Sequence, residues 1–180
     1  MQQPNHFLLM AQYNLRMNGQ VFEAARQLSS QDLTENKGAY FGSIIGTLNH
    51  LLVGDLIWLN RFATHSDTYL SLQALTEFPI TTKLDTIIYP EIESLYVARQ
   101  VLDNILIKWL STEVKEEDLS APHTYTNTKG VQSTRNFAEL LNHLFNHQTH
   151  HRGQVSTLLN QLNVDIGVTD FLIDIPEVKQ

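Results

Sequence analysis

The chain has 180 residues, enough for one domain with a substantial core, and its 42% hydrophobic and 17% charged content excludes a fully disordered protein. Nineteen acidic and 12 basic residues give a net charge of -7 at pH 7, with no dense Lys/Arg cluster, which speaks against nucleic acid as a partner. The sequence contains no cysteine, so disulfides, thiol nucleophiles and thiolate ligands are excluded, and any metal must be held by nitrogen and oxygen.

A single domain over residues 1–180 is expected. Pro4 suits the first turn of a helix, and Phe7, Leu8, Met10, Ala11, Leu15, Val21, Phe22, Ala25 and Leu28 follow at spacings of mostly three or four, predicting a long first helix. Ser29, Ser30, Asp32 and Asn36 break the pattern, and Lys37-Gly38 leads irregularly to the next element. Ser43 is placed as the N-cap of a second helix running through Ile44, Leu48, Leu52, Leu56, Leu59 and Phe62 to about Ala63. Gly46 and Gly54 each weaken that helix by about 1 kcal/mol relative to alanine, so close packing or room for a ligand should offset the loss. Residues 51–62 are also the nearest approach to a membrane span, interrupted by Asp55, Asn60 and Arg61. With no basic region and apolar run of a secretory signal at the N-terminus, a cytoplasmic protein without membrane contact is expected.

Residues 65–86 contain Phe78-Pro79 and several threonines and predict an irregular crossover with one short helix. A third helical pattern starts near Tyr89 or Pro90 and continues to Trp109-Leu110, ending before Glu116, Glu117, Asp118 and Ser120. Strand formers on both sides of Asn127-Thr128-Lys129-Gly130 predict a small hairpin or extended connection. The last long helix starts near Arg135 or Asn136 and runs through Leu159, with Asn163 and Gly167 marking its end. Four substantial helices joined by two long connections predict an all-α, four-helix bundle.

Eight histidines are present, and four of them, His143, His147, His150 and His151, fall in the last helix. His147 and His151, four apart, stack on one face and can approach one ion together. A His-x-x-x-His pair also occurs on solvated faces, but His50 sits inside the apolar pattern of the second helix. There an unpartnered ring would cost about 1 to 3 kcal/mol of desolvation, and a shared ion would supply its partner. Three neutral imidazoles suit zinc, nickel, iron or cobalt and leave the coordination sphere open for water or substrate. Occupancy should then fall as the imidazoles protonate, below roughly pH 6.

Around this triad, His143 is either a further ligand one turn from His147 or a polar residue of the bundle surface, and His150 points to the surface. Gln154 shares the ligand face and either orients a bound water or packs on the helix. Gly54 either leaves a pocket over the ion or permits close helix packing, and Trp58 either walls that pocket or joins the core. Asp55 is a candidate base or outer acceptor, although an offset of about 140 degrees from His50 directs it elsewhere on an ideal helix. Arg152 is almost opposite His147 in phase and suits an ion pair or interface. Asn14 and Asn18, four apart, face either the bundle cavity or solvent. Arg16 and Arg61 either bind an anionic substrate group or make solvent and helix contacts. No P-loop, dinucleotide fingerprint or His-Glu-x-x-His sequence is present, so metal binding would not imply peptide hydrolysis.

The stretch Gly42-Ser43-Ile44-Ile45-Gly46-Thr47-Leu48-Asn49-His50-Leu51-Leu52-Val53-Gly54-Asp55-Leu56-Ile57-Trp58-Leu59 and the later Asn146-His147-Gln148-Thr149-His150-His151-Arg152-Gly153-Gln154-Val155 resemble the DinB-like, damage-inducible family of bacterial four-helix proteins. The Tyr125-Thr126-Asn127-Thr128-Lys129-Gly130 segment resembles that family's connection into the last helix. The resemblance implies an up-down-down-up bundle that dimerises, with His50, His147 and His151 matching the family's metal triad. It also implies metal-dependent chemistry, since relatives include transferases and isomerases that use small thiols. The expected activity is therefore that of a divalent-metal enzyme, a small-thiol transferase or hydrolase-like protein, in which zinc or nickel activates a small thiol or water beside an electrophilic substrate. The alternative is a noncatalytic metal-binding structural or interaction protein, in which the ion clamps the second helix to the last.

Overall fold

The structure is a computed structural model and describes residues 3–178. In chain order it contains α1 (Gln3–Ala25), a short α2 (Ser30–Thr34), α3 (Ile44–Phe62), α4 (Ile92–Thr112), a short α5 (Glu116–Ser120), strands β1 (Pro122–Thr126) and β2 (Gln132–Asn136), and α6 (Phe137–Gln161). Two 3-10 segments, Leu70–Glu77 and Phe171–Asp174, lie in the crossover and the C-terminal tail.

The predicted helix starts are set by local chemistry. Ser43 Oγ accepts from the Gly46 amide at 3.0 Å, and Asn136 Oδ1 accepts from the Glu139 amide at 3.1 Å; each satisfies an amide that the helix itself leaves orphaned. α1 is shorter than its apolar pattern, ending at Ala25 rather than near Leu28. The polar break beyond it forms α2, because Ser29 Oγ caps the Asp32 amide at 3.1 Å and Leu33 is buried beneath. α4 begins at Ile92, two residues beyond Pro90. In the hairpin, β1 and β2 pair antiparallel with His123 opposite Arg135 and Tyr125 opposite Ser133. Its turn closes through Asn127 Oδ1, which accepts from Lys129 N at 2.9 Å and Val131 N at 3.0 Å, and through Gly130 at φ 79°, a conformation that favours glycine.

α1 packs against α4 and α6, and α3 packs against α6 and α4. Their apolar faces bury Leu48, Leu52, Leu59, Leu102, Leu144 and Val155, each worth about 1.5–3 kcal/mol of transfer free energy. An aromatic cluster of Phe62, Trp109 and Phe137 seals the end near the hairpin, with Phe62 stacked on Trp109 at 5.8 Å. The tail folds back on α1: Phe171 meets Tyr13 edge-on at 5.0 Å, and the Arg16 guanidinium pairs with Asp174. That pairing occupies Arg16, so it is a helix-to-tail tie rather than an anion receptor. The protein is thus mostly helical with one small two-stranded sheet, and among the described residues no helix is long and apolar enough to cross a membrane.

Candidate metal centre

His147 and His151 stand on consecutive turns of α6 and face His50 of α3. The His50 Nε2 atom lies 2.9 Å from His147 Nε2 and 3.2 Å from His151 Nε2. These three residues form a group whose ligand atoms all fall within 4.8 Å of one another. The far side of each ring decides what these close approaches mean. His50 Nδ1 is 2.8 Å from the Leu84 carbonyl, which only accepts, so Nδ1 carries the hydrogen and Nε2 presents a lone pair. His151 Nδ1 likewise donates to Gln154 Oε1 at 2.8 Å, and the same amide turns its Nε2 toward His150 at 3.3 Å. His147 Nδ1 is buried with no hydrogen-bond partner among the described residues. Lone pairs from neighbouring rings therefore converge on one point, where they repel unless something positive sits between them. A shared proton relieves one pair of nitrogens. A tetrahedral ion about 2.1 Å from each nitrogen would hold the nitrogens about 3.4 Å apart, near the two separations from His50 and inside the 4.8 Å span of the group, so the residues fit a divalent ion.

Local packing explains why the sequence holds the rings there. A Cβ on Gly54 would lie 2.8 Å from His147 Cε1, so the glycine admits the imidazole. The same glycine also lines the cleft beside the centre, so its missing side chain serves both the ring and the opening. A Cβ on Gly46 would lie 2.2 Å from the Phe41 carbonyl oxygen; its absence lets the preceding loop lie against α3 and place Phe41 over His50. Those rings stack at 3.6 Å and 16°, and Phe41 also meets the edge of His151 at 5.5 Å. Asn49 ties down the crossover beside His50, accepting from the Ile88 and Tyr89 amides at 2.9 Å each and donating to the Tyr89 carbonyl at 2.9 Å. Phe41, Asn49 and Leu84 escaped sequence reasoning. Any residue could supply the carbonyl of Leu84, and only the short Phe41-to-Gly46 spacing hinted at a loop pressed onto the helix.

Burial and the mutual proximity of the rings push His147 down to about 3. Burial also holds His50 and His151 below the ordinary value of 6.5. When a base has a depressed folded pKa, the unfolded chain binds more protons, so stability rises with pH across the interval. The metal-free protein should keep this contribution above about pH 6.5 and lose it as the pH falls toward 3. Urea midpoints of chelator-treated protein should therefore drop between about pH 7.5 and pH 4.5, and the slope should flatten in His147→Gln; parallel profiles for the two proteins would contradict this.

The centre borders a cleft of about 310 Å³ lined by His50, Gly54, Trp58, Arg61, His143 and His147, among others. Trp58 is half-buried and walls this cleft, edge-on to His143 at 5.0 Å and tilted against Tyr125 at 5.1 Å. His143 stands on the rim, its ring 6.3 Å from that of His147, and is outside the metal-ligand group. Gln154 supports His151 as described. Asp55 does not reach the histidines. It is fully buried on the other side of α3, paired with Arg99 at 2.7 Å and accepting from Gln148. Arg152 is also buried, donating to Gln148 Oε1 at 3.1 Å, to Asn18 Oδ1 at 3.3 Å and to Asn14 Oδ1. The amides of Asn14 and Asn18 therefore face inward.

The model of the DinB family matches residues 1–177. Among curated proteins, the chain is 28% identical over 163 residues to "Protein DinB" of Bacillus subtilis (strain 168), covering 89% of this chain and 88% of the relative. It is 24% identical over 161 residues to "Uncharacterized protein YizA" of the same organism, covering 89% of this chain and 91% of the relative.

Proposed function

Because the chain belongs to the DinB family, we propose that it is a divalent-metal-dependent enzyme built on a four-helix bundle of up-down-down-up order. In this reading His50, His147 and His151 hold zinc or nickel, and a small thiol or water entering from the cleft is activated for attack on an electrophilic substrate. The observation that carries the proposal is the convergence of the three Nε2 atoms, with the protons of His50 and His151 fixed on the opposite nitrogens by Leu84 and Gln154. When bound, such an ion supplies Lewis acidity and lowers the pKa of a small acid in the cleft toward neutrality.

The chain's own residues orient and shield. The Leu84 carbonyl and Gln154 amide keep two rings in the ligating tautomer, a role that outer partners commonly play at histidine sites. Phe41 stacks on the face of His50 and sits edge-to-face with His151, shielding the two rings there. A cleft lined by Trp58 and Tyr125 adjoins His50 and His147 and gives a ligand access. Since the chain has no cysteine, a thiol has to enter as a small molecule.

The test is turnover by zinc- or nickel-loaded protein across a panel of small thiols paired with a chromophoric electrophile. Thiol consumption should require the metal and disappear in the presence of a chelator. A stoichiometrically bound ion with no exchangeable water and no turnover across the panel would instead assign the centre as a clamp between α3 and α6.

A further inference from the structure

Arg61 differs from the other arginines that are partly or fully buried. Arg16 pairs with Asp174, Arg99 with Asp55 and Asp103, and Arg152 hydrogen-bonds to Asn14, Asn18 and Gln148. The Arg61 guanidinium makes no hydrogen bond or ion pair among the described residues. It is held instead by two rings, its Cζ lying 4.6 Å from the centre of Trp58 and 5.1 Å from that of Tyr125. A position in the last turn of α3 favours a cation through the helix dipole, but does not account for a head group clasped between aromatic rings with its N–H edges unused.

The surroundings give these edges a direction. Arg61 lines the cleft beside the histidines and also an adjoining cavity of about 290 Å³, whose walls include Leu56, Leu75 and Phe78. Ile57, Asn127 and Thr128 border both spaces as well. No Asp, Glu or Lys among the described residues lines either one. In a protein of net charge -7, the combined lining of these two neighbouring spaces thus carries one permanent charge, and it is positive. A single planar guanidinium matches a carboxylate in charge and in its two parallel acceptors, whereas a phosphate dianion would leave charge unbalanced.

We propose that Arg61 anchors a carboxylate, and that the cleft takes a small monocarboxylate with its reactive end at the histidines and an apolar part in the adjoining cavity. The location of the reactive end rests on the metal-centre reading; the anchor itself does not. The rings of Trp58 and Tyr125 preorganise the guanidinium, so binding need not first order a long side chain. Asn127 and Thr128, at the hairpin turn, close the same wall.

The experiment measures calorimetric binding of 4-phenylbutyrate and its uncharged amide to the metal-free full chain, where direct ligation of a carboxylate to an ion is impossible. The parent should bind the acid at least about tenfold more tightly than the amide. Arg61→Gln should bring the two within about twofold, whereas Arg135→Gln, a change at an exposed hairpin residue outside both cavities, should retain the preference. Equal binding of acid and amide to the parent, no binding of either, or an undiminished preference in Arg61→Gln would overturn the anchor. Metal analysis of the same parent after loading reads the centre separately: a protein that retains no ion yet discriminates acid from amide keeps the anchor and loses the metal-centre reading.

Discussion

His147→Ala is expected to abolish stoichiometric metal retention, with an affinity loss exceeding the about 10–100-fold that follows removal of an outer partner. Gln154→Ala should fall within that smaller range, because it releases the His151 ring without removing a ligand. The thermal signature should invert between loaded and stripped protein. An ion present at about 100 times its Kd stabilises the parent by about 2.7 kcal/mol, so chelation should lower its Tm and leave that of His147→Ala nearly unchanged. In the stripped state the variant should be no less stable than the parent through this site, since one of the converging lone pairs has gone. Gly54→Ala separates geometry from ligand identity. Alanine favours a helix by about 1 kcal/mol over glycine, yet its Cβ would lie 2.8 Å from His147 Cε1 and displace the ring, so metal retention should fall without a matching loss of stripped-state stability. Equal metal content in parent, His147→Ala and Gly54→Ala would rule out the triad.

The helix faces behind this expectation were legible in the sequence because spacing of three and four encodes direction. It put His147 above His151, placed His50 in a buried stripe and turned Asp55 away. The cap at Ser43 and the turn at Asn127 to Gly130 could be read for a similar reason: each uses a short-range bond between a side chain and a nearby backbone group, whereas Asn136 was one of two starts for the last helix until its bond to the Glu139 amide identified it as the cap. The same periodicity cannot say what an inward-facing polar residue meets across the bundle. Asp55 and Arg152 were therefore open to several roles until the packing placed them together. The partner of His50 is a backbone carbonyl 34 residues away, which no residue identity announces. Glycine was legible only as a need for space, and the structure assigns that space to the ring of His147.

Arg99→Met is expected to destabilise the protein by about 3–5 kcal/mol in urea denaturation, the range for leaving a buried charge without its partner. Arg99 bridges Asp55 at 2.7 Å and Asp103 at 2.8 Å. Asp103 accepts from Asn18 at 3.0 Å and from Asn14 at 3.4 Å. Their carboxamide oxygens accept from Arg152, which donates to Gln148, and Gln148 donates back to Asp55. The result is a closed buried ring drawing on α1, α3, α4 and α6, with two carboxylates balanced by two guanidinium groups. Burial pushes the Asp55 carboxyl up and Arg99 opposes that shift, while Arg152, lowered by burial to about 10, remains a cation at neutral pH. Removing Arg99 alone leaves two acids facing one cation. The double variant Asp55→Leu/Arg99→Met removes one charge of each sign, so its loss should be smaller than the sum of the single losses, by an amount a double-mutant cycle can measure. Because Gln148 adjoins His147 and Arg152 adjoins His151 in α6, the ring also fixes the register in which those ligands meet His50. The double variant should consequently bind metal more weakly even where its stability is recovered; stability restored together with parental metal affinity would limit the ring to a packing role.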